Sequence, residues 1–211
     1  MLEIRNVEVF GLDRSLKAAG NSYSIGDIDT VADIVDNDLK RGTKLGHCKV
    51  GSGHDCFLQG IKVFFDIKYS GYITPQLQRY HWFDIISSQS KMHCLCKNAS
   101  DPDRFKDSFN KYVDEDIIAR VNEYCDKYNA EKAKPAAERD RDAMYHWFMK
   151  SVSNLPQGYE IWMTVATNYQ QLKTMYYQRK GHPLKEDWGA FREMVENLPR
   201  FKELILDELA E

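Results

Sequence analysis

The passage from an apolar strand into a polar-ended helix between residues 159 and 179 most constrains how this chain can fold. Tyr159 to Val165 is apolar and β-branched enough to be a strand, and a helix then begins near Asn168. In that helix Asn168, Leu172, Met175 and Arg179 form one stripe, which places Asn168 and Arg179 on the same face about 16 Å apart. Such a face could contact both ends of an extended ligand. Helix geometry alone favours a surface helix with Leu172 and Met175 inward and Arg179 solvated.

The rest of the chain also mixes strand and helix patterns. Strands are predicted at Ile4–Phe10 and Gly60–Ile67. Helices are predicted at Ile28–Leu39, Asp114–Tyr128, Pro135–Val152, Leu184–Glu196 and Pro199–Glu208, and loops at Arg41–Gly53 and Asn98–Asp103. No internal repeat or break in composition divides the 211 residues. The sequence therefore predicts a single α+β domain over residues 1–211.

Charge and composition exclude several classes of function. The formal net charge is −3 and there is no long basic block, so we expect no bulk electrostatic binding to nucleic acid. No stretch of about twenty apolar residues is present, so we expect no membrane span. The N-terminus lacks a secretory pattern and the five cysteines are an odd number, which predicts reduced thiols in a cytoplasmic protein.

A polar and aromatic run between residues 76 and 93 predicts a ligand site. Thr74-Pro75 is a helix-start signal, and Gln76 and Arg79 would share one face of the helix that follows. His81 and Ser90 add an imidazole and a hydroxyl group. Guanidinium and imidazole groups hold phosphate oxygens, while amide and hydroxyl groups contact ring edges. This combination suits an anionic, planar ligand such as a nucleotide or a flavin.

Histidines and cysteines do not form a recognisable metal site. Four of them lie close together in the sequence, at His47, Cys48, His54 and Cys56. Their spacing matches no strong zinc pattern, so we expect no metal and interpret them as ordinary loop residues. Cys94 and Cys96 alternate as in a strand and would face opposite sides of it.

The two segments together resemble the flavin-dependent thymidylate synthases, the ThyX family. That family's signature places Gln three residues ahead of an Arg-His-Arg triplet, with Ser further on. Gln76 and Arg79 keep that spacing, and Ser90 matches the Ser after one inserted residue. In the C-terminal half, the family's Leu-Pro, Tyr, Asn, Leu and Arg positions are matched without a gap by Leu155-Pro156, Tyr159, Asn168, Leu172 and Arg179.

The resemblance implies a mostly antiparallel sheet with flanking helices, in a homotetramer that has its active sites at subunit interfaces. It implies an enzyme that binds FAD, dUMP and methylenetetrahydrofolate, uses NADPH, and builds a methyl group on C5 of the uracil. By this resemblance Arg179 would hold the uracil edge and act in catalysis, and Gln76 and Ser90 would contact the nucleotide. The flavin would be contacted by His54, Arg79, His81 and Asn168.

Several positions depart from the family pattern and leave other functions open. The triplet is Arg79-Tyr80-His81, Met92-His93 replaces a family Arg-Tyr, and Val152 stands where the family has an Arg. One alternative is a non-catalytic nucleotide-binding or assembly protein on the same scaffold. Another is a flavoenzyme that adds a different one-carbon group to a pyrimidine nucleotide.

Overall fold

The computed structural model describes residues 2–97, 105 and 107–206, and within them four strands form one antiparallel sheet. The strands are β1 (Glu3–Phe10), β2 (Lys62–Ser70), β3 (Asp84–Ser88) and β4 (Glu160–Asn168), in the order β1-β2-β4-β3. On β2 the buried residues alternate, with Val63, Phe65 and Ile67 at 0–1% exposure, because successive side chains point to opposite faces. The predicted α+β class and the strand predictions near residues 4, 60 and 159 are confirmed.

Helices account for much of the remaining described chain. They are α1 (Leu12–Ala18), α2 (Asp36–Gly46), α3 (Thr74–Leu77), α4 (Lys91–Cys94), α5 (Glu115–Ala133), α6 (Arg141–Ser153), α7 (Tyr169–Gln178), α8 (Lys185–Glu196) and α9 (Phe201–Ile205). Short 3₁₀ turns lie at Asn21–Tyr23, Cys56–Gly60 and Gly71–Ile73. Among the residues described, no helix combines the length and the apolar character needed to cross a membrane.

The chain divides into two compact units. The first comprises Met1–Ile67, Gln76–Ile86 and Thr164–Glu211, and the second comprises Lys68–Pro75 and Ser87–Met163. Large side chains that are fully buried fill the core of the first unit, among them Phe65, Tyr169, Trp188, Phe191 and Phe201. In the second unit Leu95, Val121, Cys125 and Met163 are buried. A single domain over the whole chain stays a prediction.

The prediction of a helix over Ile28–Leu39 is wrong for most of its length, because α2 begins only at Asp36. The Asp29 side chain accepts hydrogen bonds from the backbone N–H groups of Val31 and Ala32, at 3.0 and 3.1 Å. Such local bonds compete with helical ones. Val31 is 77% exposed, so its apolar spacing marks no packed face. The predicted loop at Arg41–Gly53 is wrong in its first part, since α2 continues to Gly46.

The start of α2 depends on one buried carboxylate. Asp38 accepts hydrogen bonds from the backbone N–H of Val35 at 3.1 Å, from Lys17 at 3.0 Å and from Arg41 at 3.0 Å. Burial favours the protonated acid, but these hydrogen bonds outweigh it and hold the pKa of Asp38 below its ordinary value. The ionised form therefore caps the helix and joins it to α1.

The opposite end of α2 packs without room for a side chain. A Cβ at Gly42 would overlap the Leu16 side chain, and one at Gly46 would overlap the carbonyl oxygen of Leu204 in α9. The His47 Nε2 atom lies 3.1 Å from the carbonyl oxygen of Glu203. The last turn of α2 therefore contacts the backbone of α9 directly.

The predicted helix after Thr74-Pro75 begins at Thr74 but ends at Leu77. The shared helical face for Gln76 and Arg79 is therefore wrong. The chain turns at Leu77, whose carbonyl accepts from the Tyr80 N–H at 3.2 Å, and then enters β3, a strand that the sequence did not indicate. Backbone groups of Trp82 bond instead to side chains of the strand β4 and helix α7, as described below. These tertiary hydrogen bonds override the helical pattern.

The structure differs from three further predictions. The helix predicted from Pro135 begins at Arg141, because Asp140 caps it by accepting from two backbone N–H groups at 3.0 Å. Cys94 and Cys96 lie in α4 and the turn after it, so the strand interpretation is wrong. The last helix is Phe201–Ile205, shorter than predicted, and the loop predicted at residues 98–103 lies outside the described residues.

Candidate functional site

Arg179 lies at the C-terminal end of α7, where its backbone N–H donates to the Met175 carbonyl at 2.9 Å. Leu172 and Met175 are completely buried, as the helical stripe predicted. Arg179 itself is half-buried, so the interpretation of a solvated arginine is wrong. The reason is the set of aromatic and amide groups that surrounds its guanidinium.

Two aromatic rings and one amide hold the Arg179 guanidinium within the first unit. Its central carbon lies 4.3 Å from the centre of the Trp188 ring and 5.2 Å from that of Tyr80. Its Nη1 donates to the Gln76 side-chain oxygen at 3.1 Å. Cation–π contacts of this kind stabilise a fixed guanidinium most where water is excluded, and Trp188 is only 1% exposed. The structure thus brings together Gln76 and Arg179, two residues from separate sequence motifs.

The orientation of the Gln76 amide follows from its neighbours. Its Oε1 accepts from Arg179 and also from Nε1 of Trp188, at 3.2 Å. Guanidinium and indole N–H groups can only donate, so the amide must turn its oxygen toward them. Among the described residues, none accepts a hydrogen bond from the Gln76 amide nitrogen. Gln76 therefore keeps two N–H donors for another molecule.

Two buried polar atoms of this cluster, within the described part of the chain, have no hydrogen-bond partner. They are Nε of Arg179 and the hydroxyl oxygen of Tyr80. Leaving a buried polar atom unpaired costs about 1–3 kcal/mol, so such atoms call for an explanation. Burial raises the pKa of Tyr80 and outweighs the opposing effect of the Arg179 charge. The phenol is therefore neutral at pH 7.

His182 completes the surroundings of Trp188. The two rings meet edge to face with their centres 5.9 Å apart, and the His182 Nδ1 accepts from the Leu184 N–H at 3.1 Å. Burial, and then the charge of Arg179, lower the pKa of His182. His182 is therefore neutral at pH 7, and Arg179 supplies the permanent positive charge of the cluster.

Side-chain hydrogen bonds hold the start of α7 against the turn that contains Trp82. The Asn168 side chain caps α7 by accepting from the Gln171 N–H at 2.9 Å. Gln171 in turn accepts from the backbone N–H of Trp82 at 3.3 Å, and Thr167 donates to the Trp82 carbonyl at 2.6 Å. Asn168 is 4% exposed and caps the helix. Its contact with a flavin stays a prediction.

The other predicted flavin residues of the first unit lie on the surface. Arg79 and His81 are exposed in the segment that leads to β3, and the His81 ring contacts that of Trp82 edge to face at 5.2 Å. His54 is exposed in the turn before the 3₁₀ segment Cys56–Gly60. The structure does not place these three side chains in the Arg179 cluster. Their predicted contacts with a flavin stay predictions.

Ser90 belongs to the second unit, where it caps α4 by accepting from the His93 N–H at 3.2 Å. Its hydroxyl proton remains available to donate. Ser90 lines a cavity of about 220 Å³, whose other wall residues include Cys94, Lys97, Ser108 and Tyr159. Burial raises the pKa of Tyr159, so this phenol is neutral as well. The cavity is large enough for part of a small ligand.

Two structurally important residues were missed by the sequence analysis. Trp188 was not assigned to the site because nothing in its spacing relates it to Gln76, which is 112 positions away. Lys173 is 3% exposed on the helix that carries Arg179, and its Nζ donates to the Asp55 carboxylate at 2.8 Å. It also donates to the carbonyl oxygens of Gly46 and Cys48, at 2.8 and 2.5 Å. Sequence patterns place a lysine in solvent, so a fully buried one gives no signal.

His47 and both cysteines near residue 50 bond to backbone carbonyls. Cys48 donates to Lys44 at 3.5 Å, and Cys56 donates to Gly53 at 2.8 Å. Across the described residues, no three His, Cys, Asp or Glu side chains come together in a way that could hold a metal ion.

Comparison with solved structures identifies the fold. No protein-family model and no curated protein matches the chain. A crystal structure of flavin-dependent thymidylate synthase ThyX from Helicobacter pylori, complexed with FAD and dUMP, matches with a TM-score of 0.62 and 16% identity. The match covers 98% of this chain and all of the other.

A second structure of the H. pylori enzyme, also with FAD and dUMP, gives the same TM-score and identity over 99% of this chain and 98% of the other. At 16% identity, such likeness concerns the fold and carries no residue role across. The resemblance found in the sequence is confirmed at this level: the chain has the fold of the flavin-dependent thymidylate synthase ThyX.

Proposed function

We propose that this protein is a divergent flavin-dependent thymidylate synthase that acts on dUMP. One observation carries the proposal. Gln76 and Arg179, which are 103 positions apart and belong to separate motifs of that family, meet in one cluster at 3.1 Å. Their meeting is not a consequence of a shared element, since α3 ends at Leu77 and Arg179 follows α7. The chain also keeps this pair on the fold of an enzyme that binds dUMP.

Arg179 would hold the carbonyl edge of the uracil and stabilise negative charge on the ring while C5 acts as the nucleophile. A fixed cation beside developing charge lowers the barrier because it needs no reorganisation during the reaction. Trp188, Tyr80 and Gln76 supply that fixity here. The two N–H donors left on Gln76 fit a carbonyl acceptor of the same ring.

The donors on this chain also fit a phosphate-bearing flavin cofactor. Arg79 presents an exposed permanent charge, His81 adds an exposed imidazole, and the Asn168 amide nitrogen can donate at the start of α7. His54 would be a further neighbour of the flavin. Bound FAD, reduced by NADPH, would supply the reducing equivalents that convert the one-carbon unit from methylenetetrahydrofolate into a methyl group.

We propose a homotetramer as the active form, on the family resemblance. Ser90 would contact the nucleotide from the wall of its cavity, where its hydroxyl can donate. The assembly can be measured by light scattering on the purified protein. A monomer that still turns over dUMP would contradict the tetramer and leave the assignment of the reaction in place.

The test is a paired set of variants in the FAD-reconstituted protein. We expect the wild type to bind FAD and to convert dUMP to dTMP with methylenetetrahydrofolate and NADPH. Arg179→Ala should abolish turnover, while the far-ultraviolet circular dichroism stays unchanged. Arg192→Ala is the matched control. That guanidinium also lies 4.3 Å from a ring, that of Tyr176, and also has an unpaired Nε.

If both arginine variants retain turnover, Arg179 has no part in the reaction. If the wild type binds neither FAD nor dUMP, the proposed function is wrong. Loss of activity in both variants would point to a general effect on the fold and would refute the special role of Arg179.

A second candidate function is a nucleotide-binding protein without catalysis. It is favoured by the triplet Arg79-Tyr80-His81, in which the aromatic ring of Tyr80 lies against Arg179. Calorimetry would then show dUMP binding, with no NADPH oxidation in the presence of folate. A flavoenzyme that adds another one-carbon group would be recognised by the mass of the nucleotide product.

A further inference from the structure

Two cysteines of the second unit lie in direct contact. The Sγ atoms of Cys96 and Cys125 are 3.4 Å apart, although the residues are separated by 29 positions. Cys125 is completely buried in the long helix α5, and Cys96 is half-buried in the turn after α4. A contact this short places two thiols within reach of each other without any unfolding.

Neighbouring groups fix both cysteines in this position. The Cys125 Sγ donates to the Leu95 carbonyl at 3.5 Å, and the Asn129 side chain donates to the Cys96 carbonyl at 3.0 Å. The hydroxyl of Ser151 in α6 lies 3.6 Å from the Cys96 Sγ. The turn after α4 is therefore attached to α5 by bonds on both sides of the thiol pair, which keeps the sulfur atoms together.

We propose that Cys96 and Cys125 form a site of reversible oxidation, in which a peroxide converts the two thiols into an intramolecular disulfide. The sulfur atoms must approach by about 1.4 Å to reach the bond length of a disulfide. The turn that carries Cys96 can supply that movement, because it is short and partly exposed. This site is independent of the flavin reaction and uses none of its residues.

The chemistry is balanced with one peroxide for each disulfide. The Cys96 sulfur reacts first, because it is the more accessible of the two. It attacks one oxygen of hydrogen peroxide, the O–O bond breaks, and the departing hydroxide leaves with the thiol proton as water, so that a sulfenic acid remains. The Cys125 sulfur then attacks the Cys96 sulfur, the S–O bond breaks, and the hydroxyl leaves as a second water with the thiol proton. Two thiols have lost two electrons, and the peroxide has gained them.

The experiment treats the full-length reduced protein with one equivalent of hydrogen peroxide and measures thiols, mass and cross-linked peptides. We expect each chain to lose two of its five thiols. No covalent bond between two chains should form. Trypsin should release residues 92–97 joined to residues 121–127, and a thiol reductant should separate them. Fragmentation of the first peptide distinguishes Cys96 from Cys94.

Three variants test the assignment. Cys94→Ser is the matched control, because this exposed residue lies in the same peptide, and it should leave the cross-link intact. Cys96→Ser should abolish the cross-link. Cys125→Ser should leave Cys96 as a sulfenic acid that dimedone traps. If Cys125→Ser is too unstable to be measured, the comparison of the wild type with Cys96→Ser still tests the pair.

Other outcomes overturn the proposal. If the cross-link disappears in Cys94→Ser, the reacting thiol is Cys94 and the proposed role of Cys96 is wrong. Disulfides found only between two chains, or oxidation of Cys96 to a sulfinic acid without any bond to Cys125, would show that the pair does not react as a unit.

Discussion

Replacement of Lys173 by Met should destabilise the first unit strongly. The Lys173 Nζ uses all three of its donors, on the carboxylate of Asp55 and on the carbonyl oxygens of Gly46 and Cys48. Its side chain is 3% exposed and that of Asp55 is fully buried. Methionine fills a similar volume and removes the charge, so the loss is mainly electrostatic.

The magnitude follows from the groups that remain. Two buried acceptors and one partly buried acceptor lose their donor, each at a cost of about 1–3 kcal/mol. Asp55 keeps its hydrogen bond from Gln170 at 2.9 Å, but its charge is left without a counter-ion. Breaking one side of a buried ion pair typically costs about 3–5 kcal/mol, and we expect Lys173→Met to fall in this range.

The assay is urea denaturation followed by tryptophan fluorescence and circular dichroism. Lys134→Met is the matched control: its ion pair with Glu131 is short, 2.6 Å, but the lysine is 48% exposed, and we expect an unchanged midpoint. The double variant Lys173→Met with Asp55→Asn should recover part of the loss, since no unpaired charge remains. A Lys173→Met protein as stable as the wild type would refute the reasoning.

Three further predictions concern the cluster around Arg179 and the start of α2. Trp188→Phe removes the indole donor that fixes the Gln76 amide. If dUMP binds as proposed, calorimetry should show its preference over dCMP falling by roughly two- to tenfold, whereas an unchanged preference would contradict a fixed amide. Burial and Arg179 hold the pKa of His182 below its ordinary value of 6.5, so the unfolded chain binds the proton more readily. Stability should therefore fall as the pH drops below 6.5, and His182→Gln should flatten that part of the denaturation profile. The pKa of Asp38 is also lower in the folded protein than its ordinary value of 3.8. The ionised Asp38 carboxylate therefore stabilises the fold above pH 3.8, and this contribution is lost as the pH falls through the folded pKa. Asp38→Asn should cost stability at pH 7, and its difference from the wild type should shrink in acid; an equal difference at both pH values would be inconsistent with this account.

The sequence predicted the fold class and most long elements, because apolar periodicity reports directly on burial. The strand Glu160–Asn168 and the helix Lys185–Glu196 lie close to their predicted positions. The helix predicted over Ile28–Leu39 was wrong for most of its length, because Ile28 and Val31 follow helical spacing but are 57% and 77% exposed. A pattern of residue types cannot distinguish those two cases.

The candidate site was predicted only in part. Gln76 and Arg179 were found through motif spacing, and the structure brings them together. The reason given for Gln76 and Arg79, a shared helical face, was wrong, because the helix ends at Leu77 and hydrogen bonds from distant residues hold Trp82 in a turn. Trp188 depends on a contact across 112 positions, which no local pattern contains.

The close packing of Gly46 couples two distant parts of the first unit. Its Cα faces the backbone of Leu204, and its carbonyl oxygen accepts from Lys173. A movement of α9 therefore displaces an atom that the buried ion pair requires. Substitutions at Leu204 and Lys173 should not have additive effects on the free energy of unfolding, although the two side chains belong to different helices. A double-mutant cycle would measure this coupling, which makes the short helix α9 an energetic partner of the helix that carries Arg179.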